Sequence, residues 1–268
     1  MALAAPGGEN AAMVDIRAWF DADGDEVVPR PHAHAPWSDD MLHGRLLAGL
    51  VAREVESGHI EDEWFPARLT IDMFRSPPMA PVSVTTARIR DGGRVRIIDV
   101  TLSTDGCELA RARVLVARAS DRRAEPVWSR RPWDLAHPDE LHPPPGMDAE
   151  GEAIWQFCSE PGQFINSGGP GRGWNRDLAQ LVAGEDVSPF VRVATSADLS
   201  SPVANSGPAG LDYINADITL NLARLPNSDW LGYETIFHEN ANGISAASCV
   251  VHDLDGAVGI SSVSAVLF

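Results

Sequence analysis

Asp198 stands out among the residues that could do chemistry. It lies in Ala-Thr-Ser-Ala-Asp-Leu-Ser-Ser-Pro, inside a run whose apolar residues (Val191, Val193, Ala194, Ala197, Leu199) predict a buried helix. A carboxylate facing apolar surroundings is costly unless it is hydrogen-bonded or functional, and its pKa answers to that setting. Other routes to chemistry are poorer. No Gly-x-Ser-x-Gly elbow occurs, so covalent acyl transfer by serine has no signature. All 21 basic residues are arginine and lysine is absent, which removes Schiff-base chemistry and a P-loop lysine. Gly168-Gly169-Pro170-Gly171-Arg172-Gly173 leads into strand-like residues, so it reads as a hairpin loop and not as a dinucleotide fingerprint. His32-x-His34 has no carboxylate or cysteine at ligand spacing. Neither a metal nor a redox cofactor is expected.

The elements that must position Asp198 come in two similar sets. From Arg68 onward, Val82, Val84 and Thr86, then Val95, Ile97, Asp99 and Thr101, alternate with the period of a strand. Asp91-Gly92-Gly93 and Asp105-Gly106 supply tight turns, so three or four antiparallel strands are expected. A second such section runs from Asp217 to the C-terminus. The two overlie: Leu69-Thr70-Ile71-Asp72-x-x-Arg75 matches Ile218-Thr219-Leu220-Asn221-x-x-Arg224. Arg75 to Val82 and Arg224 to Leu231 are both seven residues, and Val82 to Val95 and Leu231 to Ile244 are both thirteen. Asp105-Gly106 and Asp255-Gly256 then correspond with a one-residue slip, which suggests duplication of a unit of about 120 residues.

Each set is preceded by a helix. Ser38 can cap a run through Leu42, Leu46, Leu47, Leu50, Val51 and Val55 that ends at Ser57-Gly58. This helix is apolar around much of its circumference and is expected to be enveloped. Ser188-Pro189 opens the second, which runs to about Asn205; Asp198 then aligns with Ala48. Strand pairs are expected ahead of each helix, over 18–36 and 153–182. Residues 125–146 hold six prolines and cannot continue a helix or central strand. The organisation is therefore an N-terminal unit 1–124, a Pro-rich linker 125–150 and a C-terminal unit 151–268.

This order of strands, buried helix and long antiparallel strands resembles the hotdog fold, an α+β class. Two copies in one chain resemble the double-hotdog acyl-CoA thioesterases of the thioesterase II (TesB-like) group. The segments that carry the likeness are PWSDDMLHGRLLAGLVAREVE, RLTIDMFRSP, GRGWNRDLAQLVAGEDVSPFVRVATSADLSSPVAN, YINADITLNLARLP and DLDGAVG. The resemblance implies hydrolysis of an acyl-CoA to a fatty acid and CoA, with an aspartate at the Asp198 position holding and activating the water. In relatives a threonine and a glutamine on strands assist it. The threonine position falls on Asn215, whose amide can still position a water. The glutamine position falls on Ser264, or on Val263 if the last strand slips by one. Relatives place small glycines at His43-Gly44, where a helix N-terminal N–H can polarise a thioester carbonyl. That role falls to Gly44, with His43 as an extra donor or base.

Arg75 and Arg224, equivalent under the repeat, are the substrate-binding candidates. Arg88, Arg90, Arg94, Arg96, Arg111, Arg113 and Arg118 could meet CoA phosphates, and their alternation equally suits a solvated sheet face. Ser38-Asp39-x-x-x-His43 invites comparison with hydratase-type hotdogs, although their Asn-Pro context is missing. An enoyl-CoA hydratase and a non-catalytic acyl-CoA or lipid binder are thus the alternatives.

Composition bounds the setting. The net charge is −17 over 268 residues; residues 1–125 hold 15 arginines and 20 acids, residues 126–268 six and 18. A nucleic-acid reader needs a cationic face, so none is expected as partner. No apolar run of membrane-spanning length occurs, and the first residues carry no early positive charge of the kind a secretory leader has. Cys107, Cys158 and Cys249 are far apart with no C-x-x-C pair, which fits a reducing cytoplasm. One chain already supplies the pair of units a hotdog needs. A homo-oligomer stays open, since an exposed sheet edge could pair between chains.

Overall fold

The computed structural model describes residues 17–120, 125, 128, 130–143, 154–165 and 168–267. The expected N-terminal and linker stretches at 1–16 and 144–153 lie outside them. Fourteen strands form one sheet. In the first half they are β1 (Ala18–Asp23), β2 (Glu26–Pro29), β3 (Trp64–Met73), β4 (Val82–Asp91), β5 (Val95–Thr104) and β6 (Cys107–Arg118). Next come β7 (Trp155–Cys158), β8 (Arg172–Asp177), β9 (Gln180–Val182) and β10 (Tyr213–Asn215). The last are β11 (Asp217–Leu222), β12 (Leu231–Ala241), β13 (Ile244–Asp253) and β14 (Gly256–Leu267). Their spatial order is β9-β1-β2-β4-β5-β6-β3-β11-β14-β13-β12-β8-β7, with β10 on β14. All pairs are antiparallel except β1 with β9.

Turn chemistry sets the hairpins. Asp105 and Gly106 between β5 and β6, and Asn242 and Gly243 between β12 and β13, all have positive φ, the requirement of tight hairpins that follow the strand twist. The Gly-rich stretch connects β7 to β8, which pair antiparallel, as the sequence leads one to expect. Along β6, Ala110, Ala112, Val114 and Val116 point into the core. The intervening arginines point out and pair with acids: Arg111 with Glu108, and Arg113 with Asp99 on β5. This is the solvated-face arrangement for those two.

Two features tie the halves together. At the middle of the sheet β3 pairs with β11 so that Leu69 faces Leu220, Thr70 faces Thr219 and Ile71 faces Ile218. Thr70 and Thr219, which the overlay of the two sequence sections aligns, thus stand directly opposite one another. At the other extreme, the single run from β8 to β9 joins the last strands of the order to the first, β8 pairing with β12 and β7, and β9 with β1. The sheet thereby curls back on itself around its helices.

The first helix, α1 (Arg45–His59), is enveloped as its composition requires: Leu46, Leu47, Leu50, Val51 and Val55 are all fully buried, each worth roughly 1.5–3 kcal/mol of apolar burial. It does not begin after Ser38. Residues Ser38–Leu42 instead pair with His34–Ala35, and Gly44 is the N-cap. The Leu42 N–H is drawn to the Pro77 carbonyl at 2.8 Å, which holds this stretch extended. The second helix, α2 (Pro189–Ser196), starts as expected, with Ser188 Oγ accepting the Val191 N–H at 3.1 Å. α1 and α2 cross at Gly49, where any Cβ would collide with Thr195 Oγ1. Among the described linker residues, 130–143 form a three-residue helical turn, Pro138–Glu140, and one isolated bridge from His142 to Ser159. They lie against the sheet: Trp174 Nε1 donates to the Ala136 carbonyl at 2.9 Å, and Trp133 stacks on His252 at 4.2 Å. No helix among the described residues is long and apolar enough to cross a membrane.

Candidate active site

Pro202 shapes the backbone that presents Asp198. A proline has no N–H and its ring presses on the carbonyl four residues earlier, here that of Asp198. The helical run therefore does not continue smoothly. It tightens into a turn at Ala197–Leu199 and resumes as α3 (Ser200–Asn205). The Ala197 carbonyl at this break accepts from Ser200 Oγ at 2.7 Å and from Ser261 Oγ of β14 at 2.8 Å. The carboxylate is thus carried on an irregular turn fastened to the sheet.

Asn215, at the end of β10, faces Asp198. Its Nδ2 donates to Asp198 Oδ1 at 2.8 Å and to the Asp217 carbonyl at 3.3 Å. Both amide protons are engaged, which leaves Asn215 Oδ1 as an acceptor. Asp198 Oδ2 lies 3.9 Å from His43 Nδ1, beyond hydrogen-bond length. Burial raises the Asp198 pKa above the ordinary carboxylate value, and the Asn215 hydrogen bond and the charge of Arg45 pull it partly back. Burial also lowers His43, to about 3, with the charges of Arg45 and His34 adding to the effect. His43 is therefore a neutral imidazole. The Arg45 N–H faces its Nδ1 at 3.5 Å, which favours the tautomer protonated on Nε2.

Two cavities meet at this pair. One, of about 320 Å³, is walled by Trp37, Trp155, Phe157, Ile165, Leu199 and Ile214, and also touches His43, Arg45 and Ser201. The other, of about 230 Å³, is lined by Met41, Gly44, Met73 and Arg75. Asp198 and Asn215 line both. Gly44 opens α1, so its N–H lies outside the helical ladder, and the residue lines the same cavity as the carboxylate.

The structure brings together Asp198, Asn215, His43 and Gly44, with Arg75 on the wall of the second cavity. Ser264 is not brought to them. It is exposed, and the neighbouring Val263 is the inward-facing residue, because side chains along β14 alternate between faces. Arg224 lines neither cavity; its guanidinium grips Asp253 at 2.6 and 2.5 Å and holds the turn between β13 and β14. The Asp39–His43 pairing of a hydratase is not formed. Asp39 has a side chain 96% exposed and lies 3.6 Å from His34. Cys249 offers no alternative nucleophile, since burial pushes its thiol up to about 12. Sequence reasoning missed Arg45, Trp37 and Trp155. The available signal for Arg45 was an arginine within a helix expected to be buried all round.

Solved structures with this architecture cover nearly the whole chain. A proposed thioesterase II from Thermobifida fusca YX superposes with a TM-score of 0.70 at 12% identity, over 92% of this chain and 94% of its own. The acyl-CoA thioesterase II TesB2 from Mycobacterium marinum gives 0.64 at 15%, over 93% and 95%. A protein of unknown function with a hot dog fold from Alicyclobacillus acidocaldarius gives 0.66 at 14%, over 92% and 94%. The fold is thus an α+β hotdog fold, here with a buried carboxyl at the meeting of two cavities. At the sequence level, no protein of curated function matches. The acyl-CoA thioesterase N-terminal domain model matches residues 33–119 and the C-terminal domain model residues 132–266. The chain belongs to the acyl-CoA thioesterase family.

Proposed function

We propose that this protein is a double hotdog, with units 1–124 and 151–268 joined by the segment 125–150. In this reading it hydrolyses acyl-CoA thioesters in the cytoplasm, using Asp198 as general base. The observation that carries this is the Asp198–Asn215 pair at the junction of an apolar cavity and one bordered by Gly44. The acyl chain occupies the first cavity and the pantetheine arm the second, with Arg75 near the head group.

A water accepted by Asp198 Oδ2 and Asn215 Oδ1 stands beside the thioester carbonyl carbon. Asp198 takes a proton from it as its oxygen bonds to that carbon. The carbonyl oxygen becomes an oxyanion that Gly44 N–H stabilises. Collapse breaks the carbon–sulfur bond, and the departing CoA sulfur receives the proton from Asp198. Fatty acid and CoA thiol leave, and the carboxylate is restored. Neutral His43 supports the wall of the site without exchanging a proton.

The test is thiol release from a ladder of acyl-CoAs by the wild type and Asp198→Asn. The variant keeps the size of the side chain and an oxygen able to accept from Asn215. Loss of turnover by a factor on the order of a thousand or more, with folding and CoA-ester binding retained, is the expected result. Undiminished release in the variant would remove Asp198 from the mechanism. Binding without release in the wild type would make the protein an acyl-CoA carrier.

A further inference from the structure

The apolar cavity that takes the acyl chain in the reading above is bounded on one side by a thin wall. That wall is the end of α3 and the short hairpin after it, Ser206–Gly207 against Gly210–Leu211, with Ser206 opposite Leu211. Neighbouring residues of the wall border different spaces. Ser201, Pro202 and Leu211 line the apolar cavity. Residues 204–208, Asp212 and Tyr213 line a larger groove of about 520 Å³, whose other side is β12 and the Gly-rich turn. Cavity and groove therefore lie back to back across this stretch of chain.

Within the hairpin one side chain can act as a stop. Its sequence is Ser-Gly-Pro-Ala-Gly-Leu, so Leu211 alone carries a long apolar side chain. Leu211 also marks a distance from the reacting centre. It stands four residues before Asn215, and Tyr213–Asn215 is the extended strand β10. At about 3.3 Å per residue, its Cα is at most roughly 13 Å from that of the residue that holds Asp198. Volume gives a matching limit. A water molecule occupies about 30 Å³ of the liquid and a methylene is of similar size. A cavity of about 320 Å³ thus holds about ten such groups.

We infer that the cavity takes apolar acyl chains of up to about ten carbons, and that Leu211 sets this limit. This deepens the hydrolytic reading and rests on it for where the acyl chain lies. Each methylene added within the limit is buried against Trp155, Phe157 and Ile165 and gains its transfer from water. The first methylene beyond it meets Leu211, and forcing extra volume into a filled space is unfavourable.

The experiment measures kcat/KM for straight-chain esters from butanoyl-CoA to hexadecanoyl-CoA, each below its micelle concentration. It uses the wild type, Leu211→Ala and Leu211→Phe. In the wild type each added carbon should raise kcat/KM about threefold to fourfold up to decanoyl-CoA, and tetradecanoyl-CoA should fall back on the order of tenfold. Leu211→Ala opens the wall toward the groove, so the break should move to chains about two carbons longer or more. Leu211→Phe should move it to shorter chains. Leu211 is 37% exposed and lies outside the main cluster of buried apolar residues, so both variants should fold as the wild type does. A general disturbance of the site would scale all esters alike, whereas a length limit shifts in opposite directions in the two variants. A break at the same length in all three proteins, or an equal loss on every ester, would overturn the inference. So would a wild type that gains with every carbon through hexadecanoyl-CoA. If the wild type releases no thiol, calorimetric binding of the matching non-hydrolysable thioethers makes the same comparison. Failure of hydrolysis is thereby kept separate from failure of the length limit.

Discussion

A carboxyl that acts as a base must be ionised, and burial works against ionisation at Asp198. Its pKa is raised above the ordinary 3.8, while the Asn215 hydrogen bond, the larger of the two opposing influences, favours the carboxylate. The pH profile of kcat/KM follows, because it reports ionisations of the free enzyme. Activity should rise with pH through the Asp198 ionisation, at a value above 3.8, and be lost as pH falls through it. Asn215→Ala removes a donor to the ionised form, so its acid limb should move to higher pH, with kcat also lower on the order of tenfold from the loss of water positioning. His43, lowered to about 3, changes charge below that limb and contributes no inflection near neutrality. A profile for Asn215→Ala that coincides with the wild type would show that Asn215 does not set the base. Of these residues Asp198 was legible in the sequence, since a carboxylate in an apolar run demands an explanation. Arg45 was overlooked for a related reason: a partner such as Asp177, 132 positions away, cannot be foreseen from local pattern.

At the level of elements, the turn at Ala197–Leu199 connects sequence to site, and Pro202 is its cause. Pro202→Ala restores an N–H able to reach the Asp198 carbonyl four residues earlier, so the run from Pro189 to Asn205 can become continuous helix. The side chain of Asp198 then swings about the helix axis away from Asn215. Circular dichroism should show the fold retained, with kcat reduced on the order of tenfold, since small misplacements of a catalytic group are expensive. An unchanged kcat would mean that the turn is set by the serine hydroxyls on the Ala197 carbonyl. The periodicity of Val191 to Leu199 foretold the helix but not its interruption, because proline lies only a few residues inside the run. The opposite error occurred at Ser38. A good capping residue ahead of a leucine run is outweighed there by cross-strand partners, Pro77 and Ala35, that no local window contains. Strands fared better: Asp105-Gly106 fixes a hairpin within a few residues, so β5 and β6 follow from composition alone. The face of β14 was harder to place, since a one-residue slip exchanges Ser264 for Val263.

For the whole molecule, the question is whether the two halves of the chain make two folding units or one. Apart from a small separate cluster of Leu135, Cys158 and Trp174, a main cluster of buried apolar residues runs from Trp19 in β1 to Val263 in β14, taking in α1, α2 and the facing strands of both halves. The β3–β11 seam buries Leu69, Ile71, Ile218 and Leu220 together. The run from β8 to β9 then joins the last strands of the order to the first, and Arg53 of α1 holds Glu185, beyond β9, by two hydrogen bonds of 2.6 Å. Neither half can open without exposing the other's core. Separating them would expose the seam, the α1–α2 contact and the Asp198 site at once. Thermal unfolding should therefore be one transition, with calorimetric and van't Hoff enthalpies in agreement, although 268 residues exceed the size at which two-state behaviour is usual. Ile218→Ala, at the seam, should lower the stability of that single transition by about 2–5 kcal/mol, and tryptophan fluorescence and far-UV circular dichroism should move together. Two resolved transitions, only one of them shifted by Ile218→Ala, would instead mean that the halves fold independently and that the site forms on their docking.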